Sequence, residues 1–372
     1  MGSFVTSPTA VMFTRPLVGA AVMVATLLPA SVASAQESYP SAVAVDTVAA
    51  VDGTLVEGGD TTYGVTLDAM ATVGLGRGML ALTRPFLQRL GTGEWNAQVW
   101  VAALRWEHLG PVSIRADAGY IPPPMGAANL LLRPHLNPTI SQPSTLFTAL
   151  PAVFPRAPRV NLLGAMYPLG ATVTASTLRW DVRVAAIDTS PLRARRVFAD
   201  NSPPNPPRLP NVVVGAGITP KVGLRLGMSA AHGLWAKAGE STVVTRDLKA
   251  TVFTVEGEYS FRYTKLLGEW VQDRLDTAAG VRVARGFFLQ GQQTLSPRWF
   301  VAGRVERISS PIVPSGVPGT IHQHLNGMEE AIGYRVSPDL TIRVSHRARQ
   351  LFGATQFGHS GSVSLVFWRR WF

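Results

Sequence analysis

Residues 361–372 read Gly-Ser-Val-Ser-Leu-Val-Phe-Trp-Arg-Arg-Trp-Phe, and the fold turns on how that stretch is understood. Val363, Leu365 and Phe367 alternate with Ser362, Ser364 and Val366, which is the two-residue period of a strand with unlike faces. Trp368, Trp371 and Phe372 stand beside Arg369 and Arg370, the pairing expected where a membrane-spanning strand reaches the headgroups. Counting back by twos from Phe372 gives Arg370, Trp368, Val366 and Ser364, yet the other parity is the more apolar. Which face meets lipid is therefore open from this strand alone. The buried terminal strand of a soluble sandwich would look the same.

Composition narrows the choice. The chain has 372 residues, no cysteine, 35 glycines, 28 prolines and a formal net charge of +11. Without cysteine there is no disulfide framework, thiolate metal site or cysteine nucleophile. Arg15, the apolar run 17–29 and Ala33-Ser34-Ala35 have the form of a cleaved export signal, giving an expected signal peptide at 1–35 and a mature chain at 36–372. Residues 1–35 hold one Arg and no acid, so the mature charge is 33 − 23 = +10. No later stretch of about 18 uncharged apolar residues offers a helical span. An exported chain of this kind is periplasmic, secreted or an outer-membrane barrel.

The spacing of strands and breakers selects the barrel. Strand-like segments at 340–352 and 324–336 meet at Ser337-Pro338-Asp339, and 298–309 and 281–294 meet at Ser296-Pro297. Arg262-Tyr263 joins 249–261 to 264–275, Pro220-Lys221 joins 211–219 to 222–233, and Tyr167-Pro168-Leu169-Gly170 joins 160–167 to 171–188. Pro and Gly suit such tips because they fix or free φ. Longer connections lie at 121–159, 189–210, 234–248, 310–323 and 352–360, with a short one at 276–280. Earlier segments at 111–121, 94–107, 77–90, 61–74 and 43–56 bring the total to about sixteen, with fourteen as the competing count. The expected fold is thus all-β: a transmembrane antiparallel up-and-down β-barrel with both termini on the periplasmic side. Short turns at one end and long loops at the other fit it better than a sandwich with Greek-key crossovers.

The strand faces predict what the barrel encloses. Ile114, Ala116 and Ala118 oppose Arg115 and Asp117; Leu178, Trp180, Val182 and Val184 oppose Arg179, Asp181 and Arg183. Leu224, Leu226 and Met228 oppose Arg225, and Phe253, Val255 and Tyr259 oppose Glu256 and Glu258. Val301 and Val305 oppose Arg304 and Glu306, while Ile342 and Val344 oppose Arg343 and Arg347. An Arg or Lys on the lipid face near mid-bilayer costs roughly 2–4 kcal/mol, so the charged parity is assigned to the inside. These twelve charged residues are the expected pore lining, and their Arg surplus favours anions. Bracing of the wall by Arg–acid pairs is the alternative for any single pair.

Residues 121–159 are too long and too apolar for an ordinary exposed loop. Ile121-Pro-Pro-Pro-Met125 and Asn129-Leu-Leu-Leu-Arg133 are expected to fold inward and narrow the pore; a lid or a subunit contact is the alternative. Residues 201–210 read as a stiff exposed loop.

With the hairpin order, the stretch GYIPPPMG at 119–126 and the aromatic terminus in view, the chain resembles porins of the phosphate-selective O/P type. The terminal strand is similar to the assembly signal of Gram-negative outer-membrane barrels, which assigns that role to Trp368 and Phe372. The resemblance implies passive diffusion of small anions or hydrophilic solutes in the cell outer membrane, often through homotrimers. It also implies contacts with outer-membrane lipid, lipopolysaccharide and the barrel assembly machinery. Phosphate selectivity itself does not carry over, because the recognition cluster has no residue-by-residue match.

Other chemistry is thinly represented. His322-Gln-His324 lacks a third metal ligand at useful spacing and reads as a polar loop. Gly74-Leu-Gly-Arg-Gly78 has no helix to receive a phosphate and reads as a strand tip. Ser345 and His346 adjoin, but strand neighbours point to opposite faces and cannot pair directly. Basic charge is spread over strands instead of gathered in a nucleic-acid patch. No metal or cofactor is expected. A diffusion pore comes first, a structural or adhesive barrel second and an outer-membrane hydrolase third.

Overall fold

The protein, seen in a computed structural model, is described at residues 43–91, 93–152, 156–164, 167–193, 207–278, 280–312 and 321–371. The export signal, its expected cleavage point before Gln36, and Phe372 lie outside the described residues.

Sixteen antiparallel strands close into one barrel. In order they are β1 (Val43–Val56), β2 (Thr61–Gly76), β3 (Met79–Leu90), β4 (Asn96–His108) and β5 (Ser113–Tyr120). Then come β6 (Leu169–Ser176), β7 (Trp180–Ile187), β8 (Asn211–Lys221), β9 (Leu224–Ala236) and β10 (Leu248–Phe261). β11 (Thr264–Thr277), β12 (Gly280–Thr294), β13 (Trp299–Ile312), β14 (Ile321–Arg335), β15 (Leu340–Gln350) and β16 (Gly358–Arg370) complete it. Each strand pairs with its sequence neighbours, and β1 meets β16 in register from Asp46↔Arg370 to Val56↔Ser360. Closure satisfies the edge donors and acceptors that an open sheet would leave bare. Among the described residues no helix is long and apolar enough to cross a membrane.

Faces alternate as the period demands. Outward side chains such as Val184, Val214, Met228, Leu289, Val305, Val344 and Val363 are roughly half exposed, while inward Arg304, Glu306, Arg343 and Ser364 are buried. A surface with this much exposed apolar area is unfavourable in water and matches hydrocarbon. In β16, Ser364 and Val366 lie inward and Val363 and Leu365 outward, which resolves the parity left open by the sequence.

Three hairpins differ from expectation. The tip between β6 and β7 is Thr177-Leu178-Arg179, not 167–170, so the long connection runs from 121 to 168 rather than to 159. The apolar run Val160, Leu162 and Leu163 that reads as a strand is instead core of that connection, buried to 3%, 0% and 0%. The true tip has no Pro or Gly; the Thr177 hydroxyl accepts the Arg179 and Trp180 amides at 3.1 and 3.2 Å and closes the turn itself. Gly170 lies within β6, where a Cβ would come 2.3 Å from the Ala186 carbonyl oxygen. The turn between β2 and β3 is shifted too, to Arg77-Gly78, both at positive φ as a tight hairpin turn requires, and Pro220-Lys221 end β8, so the tip before β9 is Val222-Gly223, with Gly223 at positive φ.

The 121–168 connection crosses the barrel. Arg84 on β3 donates to the Tyr167 hydroxyl at 2.6 Å, and the Ala128 amide donates to Glu269 on β11 at 2.8 Å. Those strands are eight places apart in the ring of sixteen, so a segment touching both inward faces occupies the interior.

Candidate functional site

The inserted segment is fastened along one half of the wall by side chains that reach its backbone. Glu306 of β13 accepts the Ser144 amide at 2.8 Å and its hydroxyl at 2.6 Å. Glu329 of β14 accepts the Ile140 and Ser141 amides at 2.9 and 3.1 Å and the Ser141 hydroxyl. Arg304 lies between these carboxylates, 2.9 Å from Glu329, and donates to Thr139 Oγ1 at 2.9 Å and the Ser141 carbonyl at 2.8 Å. Arg343 of β15 donates to the carbonyls of Pro134, Asn137 and Thr139, and Arg347 reaches Ser144 Oγ at 3.1 Å and Glu306 at 3.2 Å. Irregular backbone inside a barrel needs such partners, because its amides and carbonyls have no ladder. Its apolar residues, among them Met125, Leu131, Leu132 and Leu146, pack into the same core as Val271, Phe288 and Ile308 of the wall.

The opposite half carries a transverse charge ladder over a strip bare of side chains. Gly215 and Gly217 of β8 and Gly227 of β9 face inward in register with Arg183, Asp181 and Glu256. A Cβ at Gly217 would come 2.6 Å from Asp181 and 2.7 Å from Arg225; one at Gly227 would come 2.7 Å from Glu256. Glycine thereby lets Arg225 lie flat across the wall between Asp181 at 3.0 Å and Glu256 at 2.7 Å. Arg183 donates to Ser229 Oγ at 2.9 Å and stands 3.5 Å from Glu256. Further round, Asp117 is held by Arg105 at 2.6 Å, and Arg115 approaches the same carboxylate only to 3.6 Å.

Between the ladder and the inserted segment is a cavity of about 470 Å³. Its basic lining is Arg84, Arg133, Arg183 and Arg225, and its acidic lining is Glu256 and Glu258. Arg84 binds Asp68 with two donors, at 2.9 and 2.7 Å, the bidentate geometry that fixes a guanidinium plane. It also stands 4.7 Å above the Trp100 ring, in a stack that continues to Phe86 at 3.8 Å and Tyr167 at 4.9 Å. Burial pushes the Tyr167 phenol up to about 12, with Arg84 opposing. His135, stacked on Trp368 at 5.4 Å, is pushed down to about 4, first by burial and then by Arg133.

The residues singled out from the sequence fall into two clusters, with the others placed apart. Asp181, Arg183, Arg225 and Glu256 come together in the ladder, and Arg304, Glu306, Arg343 and Arg347 come together beneath the inserted segment. Glu258 pairs with Lys265 at 3.2 Å near the turn. Arg179 belongs to the 177–179 turn and is exposed there, not on a strand face. Trp368 stacks inward on His135. Sequence reasoning missed Asp68, Arg84, Arg133, Glu269 and Glu329. Arg84 sits between inward Leu82 and Phe86, so its face reads as apolar; the one signal was a lone charge in each of two neighbouring, otherwise uncharged strand interiors, Asp68 and Arg84.

His322 and His324 lie on β14 with exposed side chains rather than in a loop, and His322 pairs with Ser309 at 3.2 Å. Among the described residues no group of three His, Cys, Asp or Glu side chains is placed to hold a metal. Ser345 is buried inward, whereas His346 contacts Glu330 at 3.2 Å on the exposed face.

No protein-family model matches the chain, and no curated protein matches it. Solved structures do. The chain is similar to OmpF of Salmonella typhi, solved with daunomycin, at TM-score 0.58 and 9% identity over 88% of this chain and 97% of that one. It is similar to the anion-selective porin of Comamonas acidovorans at TM-score 0.54 and 12% identity, covering 89% and 99%. OprB of Pseudomonas putida gives 0.55 and 11%, covering 88% and 94%. At these identities the likeness is one of fold: a closed antiparallel barrel of the outer-membrane porin kind.

Proposed function

We propose that the chain is an outer-membrane diffusion channel for small hydrophilic solutes, that it prefers anions, and that 121–168 is its constriction. The observation that carries the reading is the 470 Å³ cavity left beside the segment, with four arginines against two glutamates on its lining. Fields of one sign in a narrow, low-dielectric passage enrich the opposite ion. Arg115, Asp117, Arg183, Arg225 and Glu256 would act on the permeating ion, and Arg304, Glu306, Arg343 and Arg347 would set the aperture by holding the segment. The channel has no enzymatic role in this reading.

Export through residues 1–35, lipid and lipopolysaccharide contacts, delivery by the barrel assembly machinery through the aromatic terminal strand, and homotrimers belong to the same proposal. A trimer form is known for the structurally similar OmpT of Vibrio cholerae (TM-score 0.52, 9% identity). The sequence resemblance to the phosphate-selective O/P type implies anion passage, and the similarity of fold to an anion-selective porin is compatible with it. The test is conductance of the purified protein in a planar bilayer, with zero-current potential under a KCl gradient. Discrete steps with an anion-side potential are expected. A protein that inserts but carries no current would make a structural barrel the better account.

A further inference from the structure

The cavity has a second character that ion conduction does not require. Leu130 and Leu136 of the inserted segment line it and are 53% and 47% exposed, whereas Leu131 and Leu132 are 3% exposed. Met70, Val101 and Leu267 line it from the wall. A passage for hydrated ions gains nothing from apolar side chains on its lining.

The charges around this apolar surface are unevenly compensated. At one side Arg183 and Arg225 face Asp181 and Glu256, two cations against two anions, while Glu258 is occupied by Lys265. At the other side Arg84 and Arg133 share Asp68, and the next carboxylate that acts on Arg133, Asp46, is held by Arg370 at 3.0 Å, which leaves one positive charge uncompensated. Arg84 takes both oxygens of Asp68. Arg133 Nε stands 3.6 Å from it, and Nε and Nη2 are buried without a hydrogen-bond acceptor among the described residues, while the side chain as a whole keeps 15% exposure and lines the cavity. His135 beside it stays neutral at physiological pH and adds nothing to the balance.

We propose that this cavity is a binding site for monovalent carboxylates with an apolar body, aromatic or short aliphatic. The carboxylate pairs with Arg133, and the body rests on Leu130, Leu136 and Met70. A single uncompensated guanidinium supports a monoanion better than a phosphate dianion, and an apolar pocket with one converging charge is the usual form of a small-ligand site. The inference deepens the channel reading by naming its solute class.

Benzoate is the probe, compared with acetate, inorganic phosphate and benzyl alcohol by titration calorimetry on detergent-folded protein and by interruption of the KCl current in bilayers. Benzoate should bind about tenfold or more tightly than any of the other three, since about 1.4 kcal/mol corresponds to one decade. Arg133→Gln and Leu130→Asn should each weaken it by about tenfold, the first by removing the charge and the second by making the apolar surface polar. Folding of each variant is read from its heat-shifted gel migration, and the Leu130 change carries the test if the Arg133 change does not fold. Equal binding of acetate and benzoate, tighter binding of phosphate, or indifference to both substitutions overturns the inference. A wild type that binds benzoate but carries no current overturns the channel reading and leaves this one standing.

Discussion

Arg115 is where the charge inferred for the lumen is most open to measurement. Its side chain is 45% exposed, and the nearest carboxylate, Asp117, is already engaged by Arg105. Replacement with Glu changes the local charge by two units while breaking no short ion pair. For an ion passing about 8 Å away in water, Coulomb's law gives about 0.5 kcal/mol per charge, hence about 1 kcal/mol for the reversal. A screening length of about 10 Å at 0.1 M salt reduces this to about 0.5 kcal/mol. Anions lose what cations gain, so the anion-to-cation ratio should fall about fivefold. At 0.01 M, where screening extends to about 30 Å, the fall should approach fifteenfold; at 1 M, with about 3 Å, it should nearly vanish. Zero-current potentials of Arg115→Glu and wild type across tenfold KCl gradients at several mean concentrations measure all three. No shift at low salt would remove Arg115 from the ion's path. A shift that persists undiminished at 1 M would mean that the substitution had rebuilt the channel instead of altering its field.

Arg304→Ala should behave differently, because that side chain is 1% exposed and lies between Glu306 and Glu329. Glu306 keeps Arg347 at 3.2 Å, but leaving the buried Glu329 without its cation costs about 3–5 kcal/mol, so the 121–168 segment should detach, with larger single-channel conductance and new protease cleavage within it. Leu226→Arg, on the outward face and 46% exposed in wild type, should lose about 2–4 kcal/mol of insertion, seen as less heat-modifiable protein with unchanged ion preference in what assembles. The His135 imidazole, at about 4 in the folded protein and 6.5 in an open chain, binds protons less readily when folded, so stability is complete above pH 6.5 and falls as pH drops towards 4. At 1.36 kcal/mol per pH unit, discounted for partial exposure, wild type should lose about 1–2 kcal/mol between pH 7 and 4.5 that His135→Gln does not lose, measured as the difference in unfolding midpoints.

Fourteen of the sixteen strands were legible because two constraints coincide, a period of two and a face that must exclude charge; β6 and β7 read as the single run 171–188, and 160–167 made up the count. Where the chain leaves the wall those constraints lapse. Val160, Leu162 and Leu163 are apolar because they fill the interior, and nothing in their order separates that from an outward strand face. The 177–179 tip was invisible for the converse reason, since a threonine hydroxyl does the work expected of Pro or Gly. At the site, charged residues alternating with apolar ones on β7, β9, β13 and β15 could be found by parity. Arg84 could not, because the inward face of β3 packs against the inserted segment and is itself apolar.

That same packing changes what a count of interior arginines means. Arg304 and Arg343 are consumed by the carbonyls and hydroxyls of 134–144, with exposures of 1% and 3%, and Arg347 turns to Ser144 and Glu306. Arg183 and Arg225 lie along the glycine strip and remain 21% and 33% exposed. In the proposed channel an ion in the cavity would meet the charges of the β7–β10 side at close range and those of the β13–β15 side through the inserted segment. Substitutions on the first side should alter the sign and salt dependence of selectivity, and those on the second the width of the passage. The sequence surplus of arginine becomes a statement about selectivity only after the second group is subtracted. What then remains is a half-exposed Arg115 that shares Asp117 with Arg105, a nearly neutral ladder, and the single uncompensated charge at Arg84 and Arg133.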